Sequence, residues 1–169
     1  MTTVSNPTRG MVYIHSAPPA LCPHVEWALS GVLGVPVRLA WSSQPASPTT
    51  RRAEYSWSAP SGSGAKLASS LNSWQQLRFE VTEDFSAVSE GHRWSYTPSL
   101  GIFYAATGVH GDIMISEDRI RNAMLGESLG REPVSVALDR LLGRPWDDEL
   151  EAFRHAGDDA PVRWLHRVG

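Results

Sequence analysis

Cysteine is nearly missing from this chain: Cys22 is the only one in 169 residues. That excludes an internal disulfide and any structural zinc site built on several thiolates, and it fits a reducing, cytoplasmic compartment. Long apolar runs are missing too. None approaches the roughly 20 residues that a membrane helix needs, so no membrane partner is expected. The opening MTTVSNPTRG has no basic region followed by an apolar stretch. It reads as a disordered tail over residues 1–9 and not as a secretory signal. Positive charge is in short supply, with 15 Lys and Arg against 18 Asp and Glu and a formal net charge of -3. A broad basic footprint for nucleic acid is therefore not expected. No internal repeat or low-complexity tract is evident.

Tryptophan, by contrast, is abundant, with seven in the chain. Side chains that each bury roughly 150–250 Å² are core or interface material. With 41% hydrophobic and 20% charged residues, the composition is that of an ordinary globular protein, and the length suits a single domain over residues 10–169.

The periodicities give an order of elements. Val12 and Ile14 alternate with Tyr13 and His15, which predicts a strand ended by Ala17-Pro18-Pro19. Val25, Ala28, Leu29, Val32 and Leu33 recur at helical spacing after Pro23, and Gly34 with Pro36 supplies a stop. Val35, Val37, Leu39 and Trp41 predict a second strand. After the Pro/Ser/Thr-rich loop Ser42 to Arg52, Tyr55 and Trp57 predict a third, paired with the second as a hairpin. A helix in GSGAKLASSLNSWQQL and a strand with Leu77, Phe79 and Val81 complete a β-α-β-β-α-β order, that of a split, ferredoxin-like unit. HRWSYTP, GIFYAAT and DIMIS then read as an antiparallel meander. Glu117 to Leu125, Val134 to Leu142 and Asp147 to His155 read as C-terminal helices, followed by a tail in which Val162, Trp164 and Leu165 are apolar enough to dock. The fold class is α+β.

The segments VYIHSAPPALCPHVEWAL, SGSGAKLASSL, LRFEVTED, SYTPSLG and RPWDDELEAFRHAGDDAPVRWLHRVG resemble those of an uncharacterised actinobacterial family, domain of unknown function family 3145. The likeness covers nearly the whole chain from Gly10. It implies a bacterial cytoplasmic source and one unit, and it brings no catalytic residues.

Candidate sites must then come from the residues themselves. His15, Cys22, His24 and Glu26 are all metal-ligand types, but the spacing of two between Cys22, His24 and Glu26 sends their side chains in different directions on a helix, so no metal is expected. A Cys22 thiolate activated by His15 or His24 would make a small enzyme, although no oxyanion-hole signature accompanies it. Ser61-Gly62-Ser63-Gly64-Ala65-Lys66 is a glycine-rich turn entering a helix, where the amides of Gly62 and Gly64 with Lys66 could hold an anion or nucleotide. Ala65 and Leu67 break the Walker pattern. Tyr55-x-Trp57 and Trp94-x-Tyr96 could stack bases, but outward aromatics would turn Glu54, Ser56 and Ser58 inward, so core packing is expected. His110 beside Asp112, and the acids Asp147, Asp148, Glu149 and Glu151, read as turn and helix-start chemistry.

The opposite face of the sheet is the best candidate. By alternation it collects Tyr13, His15, Arg38, Glu54, Arg78 and Glu80. If the C-terminal helices leave it open, it is a polar groove for a protein or a small acidic ligand. The expected role is a non-catalytic binding or regulatory module acting through that groove or through Trp164, with no cofactor.

Overall fold

A computed structural model describes residues 6–155. Its centre is a seven-stranded antiparallel sheet in the order β2-β3-β1-β4-β5-β6-β7. The strands are β1 (Pro7–Ala17), β2 (Ser42–Ser43), β3 (Arg51–Pro60), β4 (Arg78–Glu83), β5 (Gly91–Thr97), β6 (Gly101–Thr107) and β7 (Ile113–Met114). Five helices accompany them: α1 (Cys22–Leu33), α2 (Ser63–Leu71), α3 (Glu117–Ser128), α4 (Val134–Leu141) and α5 (Arg144–Arg154). The chain is α+β, and β4 to β7 form the meander. No described helix is long and apolar enough to cross a membrane.

Register explains which side chains share a face. One cross-strand row runs Tyr55, Val12, Val81, Trp94, Tyr104, and its neighbour runs Ala53, Ile14, Phe79, Tyr96, Ile102. Directly opposed residues point the same way. These rows form the face on which α1 and α2 lie, and Val12, Ile14, Phe79 and Val81 pack there with Cys22, Val25, Leu29, Leu67 and Leu71 into one apolar cluster. Trp57 and Val37 join it, with Tyr55 and Leu39 at its margin. At Gly10 the two neighbouring strands leave no room for a side chain. A Cβ there would lie 1.9 Å from the Thr82 carbonyl oxygen and 2.6 Å from the Trp57 ring, so no larger residue fits.

Two expectations are corrected. The first strand begins at Pro7, not after residue 9, because Pro7, Thr8 and Arg9 pair with Pro60, Ala59 and Ser58. The run Val35 to Trp41 is no strand. Its donors are taken by α1: Ser30 Oγ accepts from the Val37 amide at 2.9 Å, and Glu26 Oε1 accepts from the Leu39 amide at 2.9 Å and from Trp41 Nε1 at 3.2 Å. A backbone whose amides are bound by helix side chains cannot also feed a ladder. The strand that pairs with β3 is the short, polar Ser42–Ser43 instead.

Candidate functional site

The polar face predicted from alternation exists, and it is covered. Tyr13 pairs with Glu80, Glu80 with Ser95 and Ser95 with Phe103 across β1, β4, β5 and β6. Helix α5 lies over this row. It is entered through Gly143 and Pro145 and anchored at its start by Trp146, whose Nε1 donates to the Gly101 carbonyl at 2.9 Å and whose ring meets Phe103 at 5.0 Å.

Glu80 is the hub and has no exposed surface. His15 Nε2 lies 2.6 Å from its Oε2, Arg154 Nε donates to Oε2 at 3.1 Å, and Arg154 Nη2 donates to Oε1. Ser95 Oγ donates to Oε1 at 3.1 Å, and Arg93 Nη2 reaches the same oxygen at 3.3 Å. Asp147 Oδ1 accepts from Arg93 at 2.6 Å and from Arg154 at 2.9 Å. Burial alone would push the Glu80 carboxyl up. The hydrogen bond and charge of His15, with Arg154 and Arg93, outweigh it and hold the group well below the usual carboxylate range.

The surrounding contacts close the rest of the groove. The Tyr13 and His15 rings stack with centroids 6.1 Å apart, and the Arg78 guanidinium sits 4.5 Å above the Phe153 ring. Gln44 Nε2 donates to the carbonyls of His15, at 2.7 Å, and Phe153, at 3.1 Å. The predicted open groove of Tyr13, His15, Arg78 and Glu80 is therefore an interior, filled by the molecule's own α5. Arg38 does not share it: its exposed side chain reaches Glu26 at 3.4 Å, beside α1. Glu54 is exposed. Trp164 lies outside the described residues.

The other candidates are likewise occupied or dispersed. Glu83, paired with Gly10 and His92 on the α1/α2 face, accepts from the Gly62 amide at 2.9 Å and the Gly64 amide at 2.8 Å. The anion at the start of α2 is thus a side chain of the same protein, which meets the free amides and the helix dipole there. A Cβ on Gly64 would come within 2.7 Å of that carboxylate. Lys66 is exposed on the outer side of the helix. Cys22 is buried in the apolar cluster, where burial pushes its thiol up and its Sγ donates to the Pro18 carbonyl at 3.7 Å. His24 is exposed, and His15 lies on the opposite face of the sheet, so neither histidine forms a pair with Cys22. Among the described residues no group of three or more His, Cys, Asp and Glu is placed to hold a metal ion.

Two open features stand out among the described residues. One is a cleft of about 400 Å³ at the end of the sheet, bounded by Glu83, Asp84, Phe85, His92, Arg93 and His110. Three of its polar side chains serve elsewhere: Glu83 holds the α2 amides, Arg93 joins Glu80 and Asp147, and His92 Nδ1 lies 2.8 Å from the Tyr104 hydroxyl. The second is an aromatic shelf. On the α1/α2 face the rows continue past the helices to Tyr104, to Ile102 and, through Glu83, His92 and Ala106, to Met114. Phe79 and Val81 in the middle of those rows are fully buried, whereas Ile102, Tyr104 and Met114 at their ends are 42%, 46% and 57% exposed. Trp94, His92 and Tyr104 form a ring cluster with centroids 5.4 to 5.9 Å apart. Alternation alone marked Trp94 as inward-facing; it carried no sign that α1 and α2 stop short of β6.

No curated protein and no solved structure matches this chain. The family model described as a protein of unknown function, DUF3145, matches residues 11–167, and the chain belongs to that family.

Proposed function

We propose that this protein is a non-catalytic binding module and that the shelf formed by Trp94, Ile102, Tyr104 and Met114 is its binding surface. The observation that carries this reading is the gradient of burial along single cross-strand rows, from fully buried Val81 to half-exposed Tyr104. Contiguous exposed apolar surface rimmed by polar groups is characteristic of interaction sites. The charged residues that could have done chemistry neutralise one another beneath α5 or cap α2.

On the same reading, β1 to β4 with α1 and α2 form a ferredoxin-like start, for which the order β2-β3-β1-β4 speaks. The single buried thiol suits the cytoplasm, and the resemblance of the segments suits an actinobacterial source.

The test is a double variant, Ile102→Lys with Tyr104→Lys, used as bait beside the parent protein in cross-linking from the native cell. Loss of the cross-linked partner with an unchanged melting temperature is expected. Undiminished capture by the variant would show that the shelf is not the binding surface.

A further inference from the structure

We propose that the shelf is covered by helix α3 of a second copy of this chain, in a reciprocal two-fold dimer; the proposal rests on the reading of the shelf as the binding surface. Among the described residues, nothing covers the shelf or, separately, the apolar flanks of α3. In α3 only Ala123 and Gly126 are buried. Ile120 and Met124 lie one turn apart on one flank, Leu125 and Leu129 on another, and all four are between 38% and 58% exposed. A helix of this length is not stable on propensity alone, and it draws its stability from packing an apolar face.

Position favours a second copy as the occupant. Helix α3 begins shortly after β7, whose Met114 is part of the shelf, so donor helix and acceptor face sit at the same edge of the sheet. In a two-fold contact residue i of one copy meets residue j of the other and the reverse, which suits a chain with both surfaces side by side. Residues 156–169 are the competing occupant, distinguished by their removal.

Size and charge agree. Ile102, Tyr104 and Met114 with Ile120 and Met124, one flank of α3, are each 38% to 57% exposed. Taking roughly 200 Å² per whole residue, they expose about 500 Å² per copy. As roughly 57% of an interface is apolar, two copies with their polar rim reach the roughly 1,200–2,000 Å² of a stable interface. Helix α3 carries Glu117, Asp118 and Glu127 against Arg119 and Arg121, so two copies meet without strong repulsion.

The test uses the full chain in analytical ultracentrifugation. The parent protein is expected to sediment at twice its 18.5 kDa chain mass. Tyr104→Lys and Met124→Lys should each weaken the dimer about tenfold or more, with unchanged helix content. A mixture of Tyr104→Cys and Met124→Cys chains should form a disulfide-linked dimer on mild oxidation that neither forms alone, Cys22 being buried. A parent protein that is monomeric at every concentration overturns the proposal, as do shelf-to-shelf links between Tyr104→Cys chains. So does a monomer that pairs only after residues 156–169 are removed. A monomer whose cross-linked partner is still lost in the Ile102→Lys, Tyr104→Lys variant overturns the second copy and leaves the shelf as a binding surface; capture insensitive to that variant overturns both.

Discussion

Phe79 and Glu80 are neighbours in β4, point to opposite sides of one sheet, and are both fully buried. Phe79 stacks on Tyr96 with centroids 5.3 Å apart, within an apolar layer under α1 and α2. Glu80 faces two arginines and a histidine under α5. The first side is held by area, which is tolerant of direction. The second is held by charge, which is not: each ion there is acceptable only while its partners stay in place. Breaking the two sides should therefore give different signatures.

The largest loss is expected on the apolar side. Phe79→Ala removes a ring with no exposed surface and should cost about 3–5 kcal/mol, read as a fall in the denaturation midpoint that is the same at every pH near neutrality. An unchanged midpoint would refute the core assignment.

Glu80→Gln comes next, at about 3 kcal/mol, because it leaves Arg154 and Arg93 with the half-buried Asp147 as their one remaining shared carboxylate among the described residues. Here the loss should depend on pH. Glu80 has a folded pKa below its ordinary value of 4.5, so the folded state binds fewer protons than the unfolded one. Its contribution is fully present above that ordinary value and declines as pH falls toward and through the lowered one. The parent protein and Glu80→Gln should thus converge in stability on acidification, whereas the parent protein and Phe79→Ala should not. Parallel acid curves for the parent protein and Glu80→Gln would contradict the hub role of Glu80.

A smaller effect, about 2 kcal/mol, is expected for Glu83→Ala, which leaves the Gly62 and Gly64 amides without their acceptor at the start of α2. Hydrogen exchange should show the first turn of α2 opening while β1 and β4 stay protected. Uniform loss of protection would argue that Glu83 supports the sheet and not the helix. The smallest effect is at the shelf, where Tyr104→Lys should change monomer stability by less than about 0.5 kcal/mol. A large destabilisation would mean that Tyr104 belongs to the core after all.

The same comparison shows what could be read in the sequence. Alternation along Leu77, Phe79 and Val81 placed β4 and its faces correctly, and the stops at Gly130, Pro133, Gly143 and Pro145 separated the three C-terminal helices. These are local signals. Three other features depend on contacts between residues far apart in the chain. Glu26 and Ser30 bind the donors of the run through Val37 and Leu39, which leaves that run outside the sheet although its apolar period is two. Glu83 lies 19 residues from the Gly64 amide it holds. Arg154, near the end of a helix, reads as an ordinary basic C-terminal residue until it is seen above Glu80. On the polar face Tyr13, His15, Arg78 and Glu80 were legible; Arg38 was assigned to it with a strand that does not form, and the cover was not legible.

That cover also sets a timetable for biosynthesis. Arg154 lies 74 residues downstream of Glu80, so at roughly 5–20 residues per second a ribosome needs about 4–15 s between them. Until then the nascent sheet can form its apolar layer, but it presents Glu80 and Arg93 without the guanidinium that neutralises the first. The nascent domain therefore waits, half-built and open on one side, and a chain truncated ahead of Arg154 would remain in that state as a client for chaperones and proteases.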